Sequence, residues 1–139
     1  MKKKIQVTMG HICFEIAKLK KSMLFYNPLF DEIGFHLVMG GEEGYAGYSN
    51  DEFQIFLCES KPRRVSRKKP SGEEMVISDH IALLVASRKE VDSIAKAMDK
   101  AGFEPLFPPE EHPQFVKGYY AVSFNDPDNN VIEFYTVPK

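Results

Sequence analysis

The chain of 139 residues is long enough for one domain with a hydrophobic core, or for two small fused halves. A net charge of −2 and a hydrophobic content of 43% speak against a disordered chain and against a strongly charged binding surface. The opening MKKKIQVTMG has a basic trio with no apolar run behind it, and no segment approaches transmembrane length. We therefore expect a cytoplasmic protein that uses neither a signal peptide nor a membrane anchor.

The first predicted element is a strand over residues 11–16, HICFEI. It alternates, with His11, Cys13 and Glu15 on one face and Ile12, Phe14 and Ile16 on the other. A helical stretch follows, in which Phe25, Leu29 and Ile33 recur at helical spacing. Pro28 interrupts it, so that either the helix is kinked or a new turn opens after Asn27. Three short strands come next, at FHLVM, YAGYS and FQIFLC. Cys13 and Cys58 each fall inside a strand and read as free thiols, since there is no CxxC and no zinc-ribbon spacing.

Residues 60–77 are polar, hold two prolines and read as a linker. The basic cluster there (Lys61, Arg63, Arg64, Arg67, Lys68 and Lys69) has acidic residues at both ends and no interleaved aromatics. That pattern is a solvated linker rather than a nucleic-acid patch, and no nucleic-acid partner is expected.

The second half opens on HIALLV from His80, with Ile81, Leu83 and Val85 on the apolar face. Ser87 and Glu90 form a capping-box pattern ahead of a stripe of Val91, Ile94, Ala95 and Met98, and Gly102 is the expected stop. Three strands are predicted after it, at EPLF, YYAVSF and VIEFY. The intervening FPPEEHPQFVKGYY reads as an irregular loop, a possible lid. Tyr119 and Tyr120 point to opposite faces of their strand, and alternation alone does not say which faces inward.

The halves repeat each other. The two histidines are 80 − 11 = 69 residues apart, and the phrases DEIGF and DKAGF are 99 − 31 = 68 apart. Two landmarks at nearly one spacing indicate an internal duplication. The chain is expected to be α+β: one domain of two fused βαβββ modules, about 8–59 and 78–137.

With histidine opening each half and FNDPDNNVIEFY closing the second, the chain resembles the vicinal oxygen chelate superfamily, which includes glyoxalase I, the extradiol dioxygenases, the fosfomycin-resistance enzymes and the bleomycin-binding proteins. The resemblance runs from about Met9 to Val137. It implies curved sheets paired into an open cup, completed or covered by a second subunit in a homodimer. It also implies a divalent metal ion (Fe, Mn, Ni or Zn) held by His11, His80 and Glu133, with open positions for a small-molecule substrate. This would explain a glutamate between Ile132 and Phe134, because a carboxylate on a cup-facing strand carries a desolvation cost unless it has a partner.

One position departs from the glyoxalase I pattern. The resemblance puts Phe56 where that enzyme supplies a fourth ligand, while Gln54 and Cys58 share the strand face and a frame slip would bring in Ile55 or Leu57. Proton transfer would need a base, for which Glu15, His112 and Tyr120 are the candidates. The expected activity is that of a glyoxalase-type lyase or isomerase, or of an extradiol-type dioxygenase. The alternative is a metal-free module that sequesters an antibiotic or another aromatic compound between walls of Phe56, Tyr119, Tyr120 and Tyr135.

Overall fold

Both halves follow the predicted order. A computed structural model describes residues 5–60 and 80–139; all of the predicted linker but residue 60 lies outside the described residues, and its basic cluster with it. The first module runs β1 (His11–Ile16), α1 (Leu19–Ile33), β2 (His36–Gly40), β3 (Tyr45–Ser49) and β4 (Gln54–Glu59). The second runs β5 (His80–Leu84), α2 (Arg88–Lys100), β6 (Phe107–Glu111), β7 (Tyr120–Asn125) and β8 (Val131–Thr136). The sheets have matching orders, β1-β4-β3-β2 and β5-β8-β7-β6, and each has one parallel pair, β1 with β4 and β5 with β8. Over the described residues the fold is thus α+β, with two mixed sheets, two helices and no closed barrel. Among the described residues no helix is long and apolar enough to cross a membrane.

The duplication extends to the helix ends. Gly34 and Gly102 both adopt positive φ, 78° and 88°. The next residue in each half donates back into the last turn, Phe35 N–H to the Phe30 carbonyl and Phe103 N–H to that of Met98, both at 2.9 Å. Only glycine takes this left-handed stop without a steric cost, which accounts for the repeated glycine-phenylalanine phrase.

Helix α1 stays continuous through Pro28. The carbonyl that loses its partner there is that of Leu24, an exposed residue, so it opens toward water rather than into the core. The capping box of α2 is present in a shifted form. Ser87 Oγ accepts from Glu90 N–H at 3.3 Å, while the Glu90 carboxylate accepts from Ala86 N–H at 2.6 Å. Replacing Ser87 with Ala should therefore cost about 1 kcal/mol in chemical denaturation.

The strand expected at EPLF is displaced and occupies Phe107–Glu111 instead, across Pro108 and Pro109. Two prolines are tolerated because β6 is the sheet's edge strand, and its register against β7 slips between Phe107 and Glu110. The first part of the predicted loop is therefore strand.

A single hydrophobic core joins the modules. It takes Phe14 and Ile16 from β1, Phe25, Tyr26 and Phe30 from α1, Val91 and Met98 from α2, and Phe124, Ile132 and Phe134 from β7 and β8. Phe25 meets Phe103 edge-on at 5.2 Å and Phe124 at 6.5 Å, so α1 packs on the second module as well as its own. The helix-side faces of both sheets converge on this core. Their other faces, which carry the two histidines, look away from it.

Candidate metal centre

Register decides which side chains share the outer face of the second sheet. β8 lies between β5 and β7, with Glu133 beside Ala82 on one side and Ser123 on the other. Alternation then turns Ile132 and Phe134 into the core and Glu133 and Tyr135 outward. His80 Nε2 stands 3.2 Å from Glu133 Oε2, with the His80 side chain 41% exposed and the Glu133 side chain 14%.

The other oxygen, Glu133 Oε1, accepts a short hydrogen bond from the Tyr119 hydroxyl. Burial pushes the Tyr119 phenol above its ordinary range, and the hydrogen bond to Glu133 and that carboxylate's charge push it the same way. Tyr119 therefore keeps its proton and acts as a donor to Glu133. Its ring stacks on Tyr135 at 4.9 Å with an interplanar angle of 9°. Phe115 meets it edge-on at 5.5 Å and His112 at 6.2 Å. The result is a half-buried carboxylate with one oxygen oriented by a phenol and the other facing the His80 imidazole.

Of the two adjacent tyrosines, it is Tyr119 that meets Glu133. Tyr120 lies on the helix side, where its hydroxyl donates to Asp92 Oδ1 of α2 at 2.7 Å and its ring lies under Arg88 at 4.8 Å. That hydrogen bond, above all, raises its pKa. Tyr120, expected as a candidate base, thus faces α2 rather than standing beside Glu133. Its neighbour has the position instead, because β7 sets Ser123 opposite Glu133 and so turns 119, 121 and 123 outward.

His112 sits beyond β6, with Nδ1 3.4 Å from Gln114 Nε2 and Nε2 3.8 Å from Glu110, and it borders the aromatic cluster around Tyr119. Glu15 is on the other module, where its backbone carbonyl accepts from Asn130 Nδ2 at 3.0 Å and its side chain is exposed.

His11 also lies on the first module, at the start of β1, and its ring meets Phe56 edge-on at 5.5 Å. Gln54, Phe56 and Cys58 share the outer face of β4, while Ile55 and Leu57 are fully buried, which fixes the strand's frame. Gly47, opposite Phe56, leaves room for that ring, since a Cβ there would come within 2.8 Å of it. Phe56 thus fills the centre of the first sheet's outer face with a group that cannot bind metal.

The structure therefore brings His80 and Glu133 together and leaves His11 and Glu15 on a separate sheet. Among the described residues no three His, Cys, Asp or Glu side chains come together closely enough to hold a metal ion. The pair that does meet fits a cation. Two donors each about 2.1 Å from one ion and roughly 90–110° apart lie about 3.0–3.4 Å from each other. The 3.2 Å between Nε2 and Oε2 falls in that interval.

Residues 8–134 match the family model of the Glyoxalase/Bleomycin resistance protein/Dioxygenase superfamily. No curated protein matches the sequence. Among solved structures, a glyoxalase/bleomycin resistance protein/dioxygenase from Alicyclobacillus acidocaldarius is similar at a TM-score of 0.69 and 16% identity, over 95% of this chain and 92% of that one. The fosfomycin resistance protein FosX of Listeria monocytogenes is similar at 0.68 and 18%, over 96% of each chain. A lactoylglutathione lyase from Agrobacterium tumefaciens gives 0.68 and 16%, again over 96% of each. A variant of the same FosX was solved with Mn(II) and 1S,2S-dihydroxypropylphosphonic acid. At these identities the likeness is one of fold.

Proposed function

We propose that this chain, which belongs to the Glyoxalase/Bleomycin resistance protein/Dioxygenase superfamily, is a divalent-metal enzyme acting on a small substrate with two neighbouring oxygens. The observation that carries this reading is the 3.2 Å pairing of His80 Nε2 with Glu133 Oε2 on a solvent-facing sheet. One nitrogen and one carboxylate oxygen suit Fe(II), Mn(II), Ni(II) or Zn(II). The ion would supply Lewis-acid stabilisation of an anion formed on the substrate, or activation of O₂.

The chain's own residues would do the rest. Tyr119 holds Glu133 in one orientation through its hydroxyl, as partners behind a metal ligand commonly do. Tyr135, Tyr119 and Phe115 offer an apolar wall beside the pair. His112 borders that wall, and in this reading it would carry a proton to or from a substrate seated against it.

We assign the third ligand to His11 of a second copy. The faces that carry His11 and the His80–Glu133 pair both look away from the shared core, so one chain does not turn them toward each other. A homodimer that docks the first sheet of one copy against the second sheet of the other completes a two-histidine, one-glutamate centre, and it brings Glu15 to the same face as a further candidate base. A cytoplasmic location accords with two cysteines that are both free thiols.

A second reading keeps the wall and drops the metal: the stacked Tyr119–Tyr135 pair would grip an aromatic compound without chemistry. Elemental analysis separates the two readings. After chelation and reloading with Mn, Fe(II), Ni or Zn, we expect about one metal ion per chain, lost in His80→Ala. Metal uptake by neither protein under any loading condition would leave the sequestering module as the better account.

A further inference from the structure

Cys13 and Cys58 occupy neighbouring parallel strands on the face that carries His11 and Phe56. Their sulfurs stand 2.9 Å apart, with the Cys13 thiol directed at Cys58 Sγ. Ordinary non-bonded contact keeps even carbon atoms about 3.5–4.0 Å apart, so the two sulfurs are already pressed together. Both are free thiols; in the single chain Cys13 is exposed and Cys58 half-buried, and in the proposed homodimer they would line the same substrate-open cup as His11, which a small oxidant can enter. Burial, and then Cys58 beside it, push the Cys13 thiol up to about 11, so what favours a disulfide here is the close pairing of the two sulfurs and not an activated thiol.

We propose that Cys13 and Cys58 form a reversible intramolecular disulfide and so constitute a peroxide-responsive thiol site on the His11 face. The chemistry balances with hydrogen peroxide as oxidant. One sulfur attacks a peroxide oxygen; the O–O bond breaks, and a sulfenic acid and one water result. The second sulfur attacks the sulfenic sulfur; the S–S bond forms, the S–O bond breaks and a second water leaves. The two thiol hydrogens end in the two waters, and the two sulfurs are oxidised as the peroxide is reduced.

Register makes this bond a switch rather than a staple. Cys13 is paired with Phe56, and Cys58 with Glu15, so the two cysteines are diagonal neighbours. Diagonal positions in a sheet lie near the outer limit of disulfide geometry, and closing the gap to a bond of about 2.05 Å draws β1 toward β4. A strained, accessible disulfide is reduced readily. Since Cys13 is two residues from His11 on the same strand face, oxidation also shifts the backbone that holds His11. The disulfide itself stands independently of the metal reading.

Intact-mass measurement of the purified full chain before and after a modest dose of hydrogen peroxide tests this. We expect a loss of about 2 Da per chain, no thiol left for alkylation, and a proteolytic fragment joining Cys13 to Cys58, all reversed by dithiothreitol. Cys58→Ser, given the same dose, should instead gain about 16 or 32 Da at Cys13, one or two oxygens. A wild-type chain that gains oxygen as that variant does, or that links only to a second chain, would overturn the proposal. So would thiols that stay fully alkylatable after peroxide.

Discussion

Replacing Asp126 with Ala is expected to lower stability by about 3–5 kcal/mol, a fall of about 10–20 °C in the thermal midpoint of a domain this size. The reason is a concentration of donors on one buried carboxylate. Asp126 is 3% exposed. Its Oδ1 accepts from the backbone N–H of Asp128 and of Asn130, each at 2.8 Å. Its Oδ2 accepts from Asn130 Nδ2 at 2.8 Å and from the Tyr26 hydroxyl at 2.7 Å. Alanine removes all four acceptor contacts and leaves the donors without partners. An unpaired buried donor costs more than the bond itself contributes.

The four bonds do two jobs. Three of them shape the turn between β7 and β8, which also needs Asn129 at a positive φ of 64° and so sets where β8 begins. The fourth ties that turn to α1 of the other module, since Tyr26 is fully buried beneath it. Tyr26 keeps its phenolic proton because burial, and then the charge of Asp126, pushes its pKa well above the ordinary range. Tyr26→Phe removes one contact and should cost about 1–2 kcal/mol; Asp126→Asn keeps an acceptor oxygen and should fall between Tyr26→Phe and Asp126→Ala. Denaturant midpoints read all three. A loss under about 1 kcal/mol in Asp126→Ala would mean that water replaces the carboxylate and that the turn is not a pin between modules.

Which parts of this were legible beforehand follows from what sequence encodes locally. Alternation in HICFEI and HIALLV, and the repeated glycine-phenylalanine helix stops, are local signals, and the strands and the duplication could be read from them. The pairing of His80 with Glu133 rests in the sequence on family resemblance alone, because β5 and β8 are the first and last strands of their module, 133 − 80 = 53 residues apart at these positions. Choosing between Tyr119 and Tyr120 needed the register of β7 on β8, which two adjacent tyrosines do not disclose. The β6 strand hid behind its prolines because edge position is a property of the sheet, not of the segment. The outward direction of the His11 face relative to the His80 face depends on both helices sharing one core, a long-range outcome of packing. A signal for Asp126 was present in NDPDNN, whose Asp and Asn side chains favour turns held by their own backbone, but nothing there points to Tyr26, 100 residues away.

Because the His11 face and the His80 face look away from one shared core, paired variants can show whether the centre is assembled between two chains. Alone, His11→Ala and His80→Ala should each lose tight metal binding, since each removes one of three ligands. Co-expressed in equal amounts, they should recover roughly one quarter of the wild-type metal content per chain. The arithmetic follows from a two-fold dimer with random pairing. About half of the dimers hold one copy of each variant. In each of these, the His11→Ala chain keeps its own His80 and Glu133 and meets the intact His11 of its partner, so one of the two centres is whole and the other lacks both histidines. Half of the dimers times half of their centres gives the quarter. If His11 served the centre of its own chain, no pairing could rebuild three ligands, and the mixture would bind no more metal than the mean of the two variants. Elemental analysis of the co-purified heterodimer, isolated with a different tag on each chain, reads the difference directly, because there the expected content rises to about one ion per dimer.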